Sequence, residues 1–337
     1  MIKKIVVLFI ILTLLTSIGC ERKNVLVTQN GSKTSALFCI ENYSSDLKKH
    51  KYLYYEHPKR IVALWQNSVE TLIALGAGDR IIAVGGIAEE KYLHPNHLEA
   101  YRKILVRSRQ VFSQEEMLLL RPDFILGWLF DFTGKNRSVG TTAFWEKRNI
   151  NIHMNLMNGA EYKDEHVLED EIKYIRDVGK IVDEEENAKK KIKEIYSVIS
   201  ECKAKIRCKR KPRVLIVANL AKNISVYTPR TLPGDIVSKL GGIVIGKEKE
   251  AIGEDEFMSI EEVRLSNPDI IFISTVPDQY ETMKNKLAKI PSLSNLRCVK
   301  EGKVFCIPYY TIRSPGVRII DALKIFSQGI QRGVQNE

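Results

Sequence analysis

Apolar positions along this chain fall into short solid runs and into longer stretches where they recur every three or four residues. The solid runs, within Arg60–Leu64, Ile81–Val84, Ile150–Met154, Val214–Asn219 and Lys303–Ile307, predict buried strands of largely parallel sheets. The periodic stretches predict helices between them. The strongest runs from His166 to Ile206, where Ala188, Ile192, Ile195, Ile199, Cys202 and Ile206 share one helical face and Val182-Asp183-Glu184 marks a break. Further helices are expected over Phe144–Asn149, Tyr280–Leu287 and Ser314–Gly329, with a turn over Pro291–Leu296. Residues 21–50 are polar with few periodic positions and read as a tether with at most an edge strand; Lys51–Glu56 reads as another short strand.

One pattern occurs twice. Residues 112–127, FSQEEMLLLRPDFILG, return ungapped as residues 258–273, MSIEEVRLSNPDIIFI. In each copy a Ser with Glu three residues later forms a capping box that starts a short helix. Pro-Asp ends it, since the residue before proline avoids the helical region, and a buried strand follows. The spacing is too long for a solenoid, so the repeat implies two similar lobes with a cleft between them. Glu116 and Glu262, at the third helical position, have a capping duty. Glu115 and Glu261 precede them and have none: they are either solvated charges favoured by the helix dipole or matched acidic contacts for a two-fold partner.

Residues 57–84 parse as strand, turn, a helix capped by Asn67 with Glu70 at its third position, a glycine stop and a second strand. In open parallel sheets ligands bind beside such helix starts at the strand ends. Gly76-Ala77-Gly78 follows this helix instead of opening it, so it is no dinucleotide loop. Pro233–Gly242 echoes Ser68–Gly76 in the second half.

The 337 residues suffice for two domains, and 44% apolar and 28% charged content is ordinary for a globular chain. Met1-Ile2-Lys3-Lys4 followed by the apolar Ile5–Leu15 reads as an export signal too short to span a membrane comfortably. Thr16-Ser17-Ile18-Gly19-Cys20 is similar to a bacterial lipobox, with Ser17 where leucine is usual; lipidation of Cys20 is expected, an ordinary signal peptide or a retained anchor being the alternatives. The net charge of +11 falls to about +9 without Lys3 and Lys4. The excess sits in Lys189–Lys193 and Lys203–Arg213, with no aromatics interleaved for stacking on bases, which argues against nucleic acid. Cys39, Cys202, Cys208, Cys298 and Cys306 show no zinc spacing; Cys202 with Cys208 and Cys298 with Cys306 are possible pairs.

Pro58-Lys59-Arg60-Ile61-Val62, then Glu70-x-Leu72-x-Ala74-Leu75-Gly76-Ala77-Gly78-Asp79-Arg80-Ile81, together with the doubled Glu-Glu…Pro-Asp unit, resembles the iron-siderophore, haem and cobalamin class of substrate-binding proteins for ABC importers, over roughly residues 55–330. The Arg313-Ser314-Pro315-Gly316 stretch resembles the start of that family's last helix. The resemblance implies two doubly wound, Rossmann-like α/β lobes joined by a long helix that keeps closure small, the class III periplasmic-binding-protein type. It implies a monomer that meets a permease dimer and its ATPase through Glu115 and Glu261, one per lobe. The domains expected are a signal peptide (1–19), lipid attachment and tether (20–50), an N-terminal lobe (51–164), connecting helices (165–210) and a C-terminal lobe (211–337).

Strand ends should line the cleft. They supply Trp65, Gln66, Trp128 and Phe130 from the first lobe and Tyr227, Arg230, Tyr309, Tyr310 and Arg313 from the second. Aromatics with two arginines suit a large, flat or aromatic anion: a ferric siderophore first, haem second, cobalamin third. For haem, Tyr309 or Tyr310 is the candidate axial ligand. Direct metal binding is not expected, because Pro95 inside the His94…His97 pair disfavours a ligating helix face. No nucleophile elbow, phosphate loop or carboxylate cluster suggests an enzyme, and no cofactor is expected.

Overall fold

The computed structural model describes residues 26–29, 32–133, 138–155, 165–206, 210–220, 223–246 and 256–334. Two α/β lobes pack on a pair of connecting helices. The first lobe holds a parallel sheet in the order Val106–Arg107, Ile81–Gly85, Ile61–Leu64, Phe124–Trp128, Asn151–Asn155. Its central strand, Ile61–Leu64, is wholly buried, as a strand covered on both faces must be. In the second lobe Arg213–Leu220 pairs in parallel with Ile270–Thr275, which pairs with Val304–Pro308. Ile224–Val226 and Glu256–Met258 extend that sheet antiparallel, and Ile243–Val244 pairs with the start of Arg213–Leu220.

The repeat is visible at atomic detail. The Ser113 hydroxyl accepts from the Glu116 amide at 3.2 Å and Glu116 accepts from the Ser113 amide at 2.7 Å; Ser259 and Glu262 reproduce both bonds at 3.2 and 2.7 Å. Each helix stops on a left-handed residue, Arg121 (φ 49°) or Asn267 (φ 43°). The aspartates after the prolines then tie helix to sheet: Asp123 accepts from the Arg60 amide at 2.9 Å and Asp269 from the Arg213 amide at 2.7 Å. The guanidinium of Arg60 donates to the Leu120 carbonyl, and that of Arg213 to the Ser266 carbonyl, at the same repeat position. Each lobe thus aims its short helix with the same Arg–Asp brace.

The connection comprises Leu168–Ile181 and the 21-residue Glu185–Lys205, broken at residues 182–184 as the pattern predicts. Ala188, Ile195, Ile199 and Cys202 are buried, and Ile192 and Ile206 pack at the edge of the same core. The closing helix, Ile319–Val334, lies against the long one, its Gln331 side chain donating to the Lys205 carbonyl.

Three expectations change. The stretch assigned to the end of the tether is partly fold: Phe38–Tyr43 pairs antiparallel with Lys49–Tyr54. Ile40, Tyr52 and Tyr54 alternate inward, and Asn42 donates to His153 Nδ1 at 2.8 Å and to the Met154 carbonyl at 3.0 Å. The Cys298–Cys306 pair does not form; Cys39, Cys202, Cys298 and Cys306 are thiols, and Cys208 lies outside the described residues. Burial pushes the Cys298 thiol up to about 12 and that of Cys306 to about 11. Residues 1–25, with the signal and Cys20, also lie outside the described residues; among the described residues no helix is long and apolar enough to cross a membrane.

The third change concerns Glu70. The strand runs straight into helix Trp65–Leu75 with no side-chain cap, so Glu70 has no capping role. It is fully buried and joins the lobes: Arg318, at the start of the closing helix, donates Nη1 to its two oxygens at 2.9 and 2.8 Å. The His94 amide donates at 2.6 Å, His97 Nδ1 lies at 3.0 Å and Gln66 Nε2 donates at 2.8 Å. Arg318 also pairs with Asp321. Burial raises the Glu70 pKa, but the His97 bond and the Arg318 charge outweigh it and hold the carboxyl below its ordinary 4.5. A depressed carboxylate contributes stability above the unfolded value and loses it as pH falls through the folded one, so this clamp should weaken below about pH 4.5. Arg318→Met strands a buried carboxylate and should cost about 3–5 kcal/mol in urea unfolding. The double variant Glu70→Leu/Arg318→Met should recover most of that loss; equal losses would deny the pair its role.

Candidate functional site

The strand ends of both lobes face one cleft. A cavity of about 490 Å³ lies against the second lobe, walled by the ends of Arg213–Leu220 and Ile270–Thr275, by Gln279, Met283 and Tyr309, and from the first lobe by Glu89 and Tyr92. Contacts cross between the lobes beside it. Lys91 pairs with Asp278 at 2.6 Å, the Tyr92 hydroxyl donates to Asp278 at 3.2 Å, and Tyr92 stacks on Tyr310 at 5.7 Å. The Arg318 guanidinium lies 5.3 Å from the centre of the Tyr310 ring, a cation–π geometry.

At the first-lobe strand ends the tryptophans form a built unit. Trp65 and Trp128 stack at 4.7 Å with 10° between planes, and Phe130 meets Trp128 edge-on at 5.4 Å. Trp65 stands at φ 70°, a left-handed backbone that a bulky residue adopts only when its surroundings hold it there. Its ring presses on Gly86, where an added Cβ would lie 2.8 Å from Cε3. Its indole N–H donates to both oxygens of Asp131, at 3.0 and 2.8 Å.

The nine cleft residues therefore divide. Tyr309 lines the cavity and is 40% exposed. Trp65, Trp128 and Phe130 come together as one aromatic wall, and Tyr310 joins Tyr92 across the lobes. Arg230 and Arg313 are half-buried; the Arg230 carbonyl accepts from the His166 amide at 3.0 Å and the Arg313 amide donates to the Tyr309 carbonyl at 2.9 Å. Gln66 is occupied by Glu70 and by the Tyr92 carbonyl at 2.8 Å. Tyr227 is corrected: at 2% exposure it sits in the core instead of the cleft wall, held just past the strand Ile224–Val226 by its amide, which donates to the Ile216 carbonyl at 2.9 Å.

The sequence reading missed Tyr92, Glu89, Asp131 and Thr275. Extending the ungapped repeat by two residues places Trp128 opposite Ser274 and Leu129 opposite Thr275, a signal that was there to find. Tyr92 sits in a loop with no periodicity. His94 and His97 have structural duties: Pro95 opens a helix, His94 caps it by accepting from the Asn96 amide at 3.2 Å, and His97 meets Glu70. Among the described residues no group of three or more metal-ligating side chains gathers.

The doubled lobe, the cleft at the strand ends and the helical connection are those of solute receptors, and a family model described as periplasmic binding protein matches residues 61–311. The chain belongs to the periplasmic binding protein family. It is 30% identical to a periplasmic binding protein from Veillonella parvula DSM 2008, with a TM-score of 0.77 over 87% of this chain and 91% of that one. The Fe(3+)-citrate-binding protein YfmC of Bacillus subtilis (strain 168) is 25% identical over 260 residues, 74% of this chain and 72% of that protein. YhfQ of the same organism, a putative ABC transporter substrate-binding lipoprotein, is 26% identical over 264 residues, 74% of this chain and 76% of that protein. The binding protein is thus of the fold and family expected from sequence, a family of solute-binding proteins that are not enzymes.

The close approach of Gly86 to Trp65 is testable in this binding protein. Gly86 has φ 86°, so Gly86→Ala brings both backbone strain and a clash with the ring. It should lower stability by about 1–3 kcal/mol and shift the near-ultraviolet tryptophan dichroism; an unchanged spectrum would mean the ring does not rest there.

Proposed function

We propose that this binding protein captures an iron(III) chelate of the siderophore type and delivers it to the permease of an ABC importer, held outside the cytoplasmic membrane by a lipid on Cys20. The observation that carries the ligand class is the aromatic set at the strand ends. Trp65, Trp128 and Phe130 form one group at the strand ends of the first lobe, and Tyr309, which meets Tyr310, lines a cavity of about 490 Å³ against the second lobe, a size that suits a small chelate. Arg313, close to Tyr309 and Tyr310 in sequence, and the half-buried Arg230 would supply positive charge. Resemblance to an Fe(3+)-citrate-binding protein supports iron, and resemblance to a protein named a lipoprotein supports the anchor. Titration of the tryptophan emission with ferric citrate, a ferric hydroxamate, haem and cobalamin tests the reading. Saturable quenching by a ferric chelate at submicromolar concentration is expected; saturation by haem or cobalamin alone would replace iron chelate with that ligand.

Glu115 and Glu261 are the proposed docking pair. Both are exposed on the matched helices, with the capping duty taken by their neighbours. They are not identical: Glu261 accepts from Arg264 Nε at 2.8 Å, a bond that with its charge holds the carboxyl below the usual range, whereas the matching position beside Glu115 is Leu118. The charge reversal Glu115→Arg/Glu261→Arg should leave chelate affinity unchanged and abolish uptake by cells. Normal uptake by that variant would remove the docking role.

A further inference from the structure

Asp131 is a buried carboxylate whose bonds all serve the aromatic wall. It is 2% exposed. Oδ1 accepts from Trp65 Nε1 at 3.0 Å, while Oδ2 accepts from Trp65 Nε1 at 2.8 Å and from the Trp128 amide at 2.7 Å. Its own carbonyl accepts from the Ser138 hydroxyl and the Val139 amide, both at 2.7 Å, which ties the segment that carries it. Space for it is left by Gly127, where a Cβ would lie 2.9 Å from Oδ2. Core packing of two indoles needs no such carboxylate, since burying a charge without a cation is costly. Among the described residues no charged side chain compensates it: burial dominates and pushes its pKa up to about 6, opposed only by the Trp128 amide and the Trp65 indole.

We propose that Asp131 is the positioning residue of the ligand wall, its two carboxylate oxygens fixing the plane and tilt of the Trp65 ring, which in turn backs the Trp128 ring that a chelate meets. This rests on the reading that Trp128 and Phe130 face the ligand. The carboxylate accepts from the indole through both oxygens, whereas the acid turns one of them into a donor and keeps a single acceptor for the indole. Acidification therefore loosens Trp65 while the fold gains: with the folded pKa above the ordinary 3.8, ionising Asp131 opposes folding, and its contribution to stability falls as pH rises from about 3.8 to about 6.

The test follows tryptophan emission of the full chain between pH 4.5 and 8, without ligand and then with ferric citrate and a ferric hydroxamate. In the native protein the unliganded emission should show a transition near pH 6 that is absent in both Asp131→Asn and Trp65→Phe. At pH 7.5 Asp131→Asn should bind the chelate about ten-fold more weakly, with near-native thermal stability. Trp65→Phe, which keeps a ring and drops the donor, serves if the Asn variant does not fold. A transition that survives in the variants, or unchanged affinity in a variant that has lost it, overturns the proposal. Should the native protein bind neither chelate, the iron reading fails, and the ligand-free transition alone decides whether Asp131 holds Trp65.

Discussion

The structure depends on a carboxylate taken out of water and answered from the other lobe. Glu70 sits on the first helix of the first lobe, and Arg318, which neutralises it, begins the last helix of the second. Neither is stable in place without its partner, because a lone buried charge forfeits hydration with nothing in return. The lobes are therefore linked by more than the connecting helices. Glu171 reinforces the junction: it accepts from the Gly316 amide at 2.7 Å and lies 2.9 Å from His166. The clamp reaches the cleft as well, since Arg318 donates to the carbonyl of Tyr92, which lines the cavity.

Duplication explains much of the rest. Both lobes use a serine cap, a left-handed stop, a Pro-Asp step and an arginine brace to set a short helix against the sheet. The same local chemistry gives two similar surfaces, which differ in what they carry, such as Arg264 where the first lobe has Leu118.

Interactions between near neighbours in sequence were legible beforehand. The capping boxes, the break at residues 182–184, the buried stripe of the long helix and the strand runs all follow from periods of two to four residues, and all are found. What escaped depends on distant partners. Glu70 has the spacing of a capping residue, and only the arrival of Arg318 shows that it is a clamp. Pro95 already argued against a metal pair at His94 and His97, but that His97 serves Glu70 could not be read from its spacing. The left-handed backbone of Trp65 leaves no trace in composition, since its supports, Gly86 and Asp131, come from two other loops. The hairpin at Phe38–Tyr54 was legible in part: an edge strand and the strand over Lys51–Glu56 were expected, but not that the two pair.

The four described thiols have a consequence for how this protein can be made. Cys298 is wholly buried and Cys306 half-buried, both hold their protons to high pH, and no described cysteine is cross-linked. Among the described residues the native state needs no oxidant to form and offers no bridge for a reductant to cut. The described part of the fold can therefore be prepared in a reducing cytoplasm, with the exposed Cys39 the described thiol most open to oxidation.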